Sequence, residues 1–344
     1  MSLPLRQVGE NGIISRFRAL AAPGLTADVV VGPGDDAAAL HTGGDRVLLL
    51  TCDMVVEGIH FRRAWATPDQ IGWRAMAANL SDIAAMGGEP AAAVASIAAP
   101  GDLPAEEVEQ IAQGLISAAS QYRAALVGGD LVGSPGPLVV DVALTGWVDE
   151  HLMLRRRGAR PGDALLITGA LGASATGLAL RQHMLADDGS PEFARALQAH
   201  HKPRPRLAEA RAIAESRLAT AMMDLSDGLA QDLPRLCGES GVGARVWCQR
   251  VPADPAALAL APKLGRDPLE LALSGGEDYE LLFTCPTAAA PEIAAAVLAR
   301  TGTAVTVIGD ITDGTGVTFL DASGNAMTPD TGFDHFAAAA GGRP

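Results

Sequence analysis

Apolar and polar positions alternate along the chain with two periods. Leu138, Val140, Val142 and Leu144 recur every second residue, which predicts a half-buried strand over 138–148. Short aliphatic runs bounded by Gly and Asp predict further strands at 28–31, 46–51, 124–127 and 164–168, and the small apolar run 91–98 predicts a buried one. Thr67-Pro68 is a helix start, with a capping hydroxyl and then Pro in the first turn; the helix should reach about Met86 and stop at Gly87-Gly88. Pro104-Ala-Glu-Glu107 opens a second helix, with acids in its favourable first turn, that should run to about Tyr122. Further on, the pattern predicts a helix after the turn 169–172, a helix over 228–237 and a strand over 279–284. Residues 186–206, carrying Pro191, Pro203 and Pro205, read as a polar connecting segment.

These elements fall into two halves separated by the Arg- and Gly-bearing stretch 155–162. With 344 residues, two domains are expected, 1–150 and 151–344. Aromatics are only 4% of the chain, so its cores must be built from Ala, Val, Leu and Ile. The net charge of −14 argues against a nucleic-acid binder and against docking on anionic membranes. The only two lysines, Lys202 and Lys263, precede Pro203 and Leu264, so neither belongs to a Walker-A phosphate loop. The opening MSLPLRQVGENGIISRF has no apolar signal region, and four widely spaced cysteines form no C-x-x-C pair; a reducing cytoplasm is the expected setting.

The informative feature is where the carboxylates fall. Asp35-Asp36 follow Gly34, Asp53 ends the predicted strand 48–51, and Asp130 follows Gly128-Gly129. Asp224 and Asp227 flank Leu225-Ser226, and Glu277-Asp278 follow Gly275-Gly276. Singly, each fits a turn, an Asx motif or a helix cap. Together they are the kind of set that brings several acids to hard cations such as Mg²⁺. Asp82 resists the plain reading. It lies in the last turns of its helix, where the macrodipole disfavours an anion, and it shares a face with Asn79 among apolar neighbours; Arg74 is too far along the helix to serve it. His60 by itself fits a local structural role, and no Ser-His-Asp arrangement is visible.

In this order, Gly34-Asp-Asp-Ala37, Leu50-Thr-Cys-Asp53, Glu57-Gly-Ile-His-Phe61, Asn79-Leu-Ser-Asp82, Gly128-Gly-Asp130, Arg156-Arg-Gly-Ala159, Met223-Asp-Leu-Ser-Asp-Gly228 and Gly275-Gly-Glu-Asp-Tyr279 resemble the thiamine-monophosphate kinases. These belong to the aminoimidazole ribonucleotide synthetase-like superfamily. The resemblance implies a two-domain α+β fold, with an N-terminal mixed sheet and helices plus a C-terminal α/β domain. It implies an enzyme that passes the γ-phosphate of ATP to thiamine monophosphate, using several Mg²⁺ ions, and that forms a homodimer. Carried over, Asp36, Thr51, Cys52, Asp53, Asp82, Asp130, Asp224 and Asp227 would hold metal. Gly129, Asp130, Arg156 and Ser226 would contact the nucleotide, and His60, Glu277 and Phe333 the acceptor. Two positions depart from the family pattern: Cys52 stands where Ser or Thr is usual, and Ala112 where some relatives place an aromatic near the adenine.

Overall fold

The computed structural model describes residues 3–330. The first half contains α1 (Leu5–Ala21), β1 (Val29–Val31), β2 (Ala38–His41), β3 (Arg46–Val56), α2 (Pro68–Ala85), β4 (Glu89–Pro100), α3 (Ala105–Gln121), β5 (Ala125–Ser134) and β6 (Val139–Asp149). The six strands form one sheet in the order β1-β2-β3-β6-β4-β5, with only β4 and β5 parallel. Val140, Val142 and Leu144 point to the covered face and are fully buried, as their alternation predicts. Helix α2 packs on that face and carries almost no solvent-exposed side. Its Thr67 cap and Gln70 close a capping box, and its chain turns away through Gly87, at φ 72°. Helices α2 and α3 cross so closely that a Cβ on Gly72 would lie 2.0 Å from the Ile111 carbonyl oxygen, so only glycine fits there.

The second half contains β7 (Asp163–Thr168), α4 (Ala173–Gln182), α5 (Pro191–His201), α6 (Leu207–Ser216), β8 (Ala221–Asp224), α7 (Leu229–Ser240), β9 (Gly243–Trp247), α8 (Pro255–Leu260), α9 (Pro268–Ser274), β10 (Leu281–Pro286), α10 (Ala290–Thr301), β11 (Val305–Thr312), β12 (Gly316–Leu320) and β13 (Ala326–Met327). Its seven strands run β13-β12-β9-β11-β7-β10-β8, and only β12 and β9 are parallel. The expected C-terminal α/β domain is therefore a largely antiparallel sheet with helices. Residues 186–206 are not a plain connector. Ser190 caps α5 by accepting the Phe193 amide at 3.2 Å, and the helix buries Phe193, Ala196 and His200.

The two halves meet along α2. Ala84 shares a core with Ala210, Ile213, Met222 and Phe283, and Ala214 reaches into the core of the first half. This places the C-terminal part of α2 directly against the end of β8, where both halves present acids. Among the described residues, no helix is long and apolar enough to cross a membrane.

Candidate active site

Three carboxylates converge between the halves. One oxygen each of Asp36, Asp82 and Asp224 lies within 4.8 Å of the other two. Asp36 comes from the turn before β2, Asp82 from α2 and Asp224 from the last residue of β8. Their orientation is fixed from behind. Thr51 on β3 donates its hydroxyl to Asp82, and Ser81 donates to Asp224 at 2.6 Å. Arg156 grips Asp36 through Nε, at 3.0 Å, and Nη2, while its amide donates to Asp35 at 3.1 Å. The other Asp36 oxygen, Oδ2, is buried without a hydrogen-bond partner among the described residues.

At an effective dielectric near 20, two carboxylates 4.8 Å apart repel by about 3 kcal/mol, so ionising all three calls for positive charge beyond the Arg156 guanidinium on Asp36. Loss of water on burial, then the neighbouring acids, pushes Asp82 and Asp224 well above the usual carboxylate range. Burial also raises Asp36, against the pull of Arg156. Asp53 stands at the rim, open to solvent yet with protein crowded around it. Desolvation, then Asp227, Asp141 and Asp36, push it up to about 6. Its amide donates to Asn79 Oδ1 at 3.1 Å, which ties β3 to α2. A cluster of hard oxygen donors with an orphaned buried oxygen fits a Mg²⁺ ion in chemistry.

The structure does not gather every expected ligand. Strand alternation turns Cys52 to the opposite face of the sheet from Thr51, where its Sγ lies 3.4 Å from Asp141 Oδ1. Burial and Asp141 raise that thiol to about 11, and its side chain points away from the three acids. β3 continues through Val56 because β6 pairs along its whole length, so Asp53 lies inside a strand rather than at its end. Likewise β5 runs on past Asp130. Gly129 serves close strand packing there, since a Cβ would lie 1.9 Å from the Ala95 carbonyl oxygen. Gly129 sits three strands from Asp53, roughly 14 Å by strand spacing, so Asp130 stands outside the three-acid cluster. Asp227 is likewise outside it, and pairs with Arg235 at 2.7 Å. His60 accepts the Val56 amide on Nδ1 at 3.0 Å, which holds its own loop. Phe333 lies outside the described residues.

Two loops face the cluster from the second half. Asp232, which sequence reasoning missed, accepts the amides of Ser226, Asp227 and Gly228 at 3.0, 2.9 and 3.1 Å and so fixes that loop. Its signal was its place one turn inside α7, on the buried face. The Ser226 carbonyl accepts the Glu277 amide at 2.7 Å, so the Ser226 and Glu277 loops are joined. Glu277 and Tyr279 both take left-handed backbone, at φ 67° and 51°, each a conformation costing about 1–3 kcal/mol outside glycine. Glu277 forms an ion pair with Arg74, whose Nη1 also donates to the His200 carbonyl at 2.8 Å.

Two family profiles cover most of the chain. AIR synthase related protein, N-terminal domain, matches residues 34–148, and AIR synthase related protein, C-terminal domain, matches 160–321. A thiamine-monophosphate kinase of Synechococcus elongatus is 38% identical over 341 residues, covering 96% of this chain and 98% of that protein. The chain belongs to the thiamine-monophosphate kinase family. Another member, from Salmonella typhimurium, is 35% identical over 90% of this chain and 93% of its own length. Among solved structures, AaThiL complexed with AMPPCP and TMP superposes with a TM-score of 0.83 at 32% identity, covering 97% of this chain and 99% of that one. The E. coli hydrogenase maturation protein HypE, at 19% identity and a TM-score of 0.68, covering 92% of this chain and 97% of that one, shares the fold.

Proposed function

We propose that this chain transfers the γ-phosphate of ATP to thiamine monophosphate, giving thiamine diphosphate. The observation that carries the reading is the convergence of Asp36, Asp82 and Asp224 with an unpartnered Asp36 Oδ2, in a chain whose relatives are named for this reaction. Asp36, Asp82 and Asp224 would hold Mg²⁺, with Asp53 at the rim and Asp227 behind it. Bound Mg²⁺ supplies positive charge that lowers the cost of bringing two phosphorylated molecules together in a protein of net charge −14.

The acceptor needs no general base. A phosphate monoester has its second pKa near ~6, so its oxygen is already largely anionic at neutral pH. Phosphoryl transfer passes through a loose transition state, so positioning carries much of the work. Thr51, Ser81 and Arg156 hold the acids in place, and Asp232 holds the loop of Ser226, which would meet the nucleotide. Gly129 and Asp130 would meet it from their separate position on β5. Glu277 and His60 would face the acceptor, with Phe333.

The division at 150/151 and a cytoplasmic setting belong to the same proposal. So does a homodimer. The sheet face away from α2 carries Leu50, Met54, Val94 and Val132 in the open, each more than 40% exposed, and a second copy would cover this apolar face. The direct test is incubation with ATP, Mg²⁺ and thiamine monophosphate, followed by chromatography. Thiamine diphosphate should form, and should stop forming with EDTA; its absence under saturating substrates refutes the reading.

A further inference from the structure

We propose that Arg74 is the positioning residue for acceptor recognition: by holding Glu277 from α2, it sets the carboxylate that meets the acceptor's cationic ring at a fixed distance from the acids that meet the phosphates. This rests on the thiamine monophosphate reading above. Arg74 is 4% exposed, an unusual place for an arginine, and its guanidinium bridges the two halves of the chain, reaching both Glu277 and the His200 carbonyl. Its Nε–H is buried without a partner among the described residues.

Glu277 needs such a holder. Its left-handed backbone is strained, its side chain is a quarter exposed, and among the described residues only Arg74 hydrogen-bonds its carboxylate. Arg74 takes Oε1, while Oε2 accepts no hydrogen bond among the described residues and lies 3.9 Å from His200 Nδ1. Burial, then the Arg74 charge, pushes His200 well below its ordinary value, so the imidazole is neutral and adds no competing cation. Oε2 therefore stays available to a cationic ligand. The helix supplies the measure. Arg74 and Asp82 are eight residues apart on α2, about 12 Å along its axis. One rigid element thus spaces the ring end of the acceptor from the phosphate end.

The test is steady-state kinetics on the full chain with Arg74→Lys, Arg74→Met, Glu277→Gln and the Arg74→Met/Glu277→Gln double variant, each checked for a native melting transition. Each Arg74 variant should raise KM for thiamine monophosphate on the order of tenfold and move KM for ATP less than about twofold, because lysine cannot reproduce the fork. The double variant should be no worse than Glu277→Gln alone. Arg74→Lys carries the same readout if Arg74→Met does not fold. The proposal is overturned if both KM values rise together, if the two substitutions add, or if Arg74 variants keep the wild-type KM for thiamine monophosphate while Glu277→Gln raises it. Should Glu277→Gln itself leave that KM unchanged, the acceptor assignment of Glu277 fails, and the proposal falls with it.

Discussion

Ser81 on α2 donates its hydroxyl to Asp224 at the end of β8, 2.6 Å away. The two residues are 143 positions apart in sequence, and the bond joins the halves of the chain at the acid cluster. The site is therefore assembled only when both halves are folded and docked, and its chemistry depends on side chains that neither half supplies alone.

Removing a cluster acid should separate stability from activity. Asp82→Asn and Asp224→Asn each relieve like-charge crowding, so the metal-free melting temperature should stay level or rise. Turnover should fall on the order of 10²–10³ or more, as expected when charge stabilisation of the transition state is lost. Calorimetric melting and initial rates on the same preparations check both. Wild-type rates in either variant contradict the assignment.

The pH dependence follows from Asp53. Its folded pKa of about 6 lies above the ordinary carboxylate value, so the folded protein holds that proton more tightly than the unfolded chain. In metal-free protein this contribution is full below about 4 and is lost as pH rises through about 6. The melting temperature of wild type minus that of Asp53→Asn should accordingly fall between those pH values. Mg²⁺ requires ionised ligands, so the Mg²⁺-induced rise in melting temperature should grow over the same range. A rise that shrinks with pH would count against metal at this cluster.

Asp232 is expected to act through its loop. Asp232→Ala leaves three amides without their acceptor, a loss of about 1–3 kcal/mol for each that stays unsolvated. KM for ATP should rise more than KM for thiamine monophosphate, measured by varying each substrate in turn. Equal changes would detach Asp232 from the nucleotide side.

The open sheet face makes a prediction about assembly. Val94→Lys with Val132→Lys places charge on the apolar face, and light scattering should report a dimer for wild type and a monomer for the variant. An unchanged mass would locate the interface elsewhere.

Much of this was legible in the sequence, and for identifiable reasons. The alternation of Val140, Val142 and Leu144 and the caps at Thr67 and Gly87 are local signals, and the structure follows them. Asp82 was recognisable because an acid near the C-terminal end of an apolar helix conflicts with its surroundings. What escaped was long-range. β3 and β5 extend past their predicted ends because their partners continue, which no local pattern reports. The same extension carries Cys52 to the far face and leaves Asp130 away from the cluster. α5 was hidden by its proline and polar composition, although Ser190-Pro191-Glu192 is a good start signal. Arg74 lies too far along α2 to serve Asp82, and its partner is Glu277, 203 residues away.

The most direct test is a crystal grown with Mn²⁺ in place of Mg²⁺ and the non-hydrolysable analogue AMPPCP, with anomalous diffraction recorded at the manganese edge. A peak within coordination distance of Asp36 Oδ2 and of the carboxylates of Asp82 and Asp224 is the predicted result. Nucleotide bound with no manganese touching any of these three acids would contradict it.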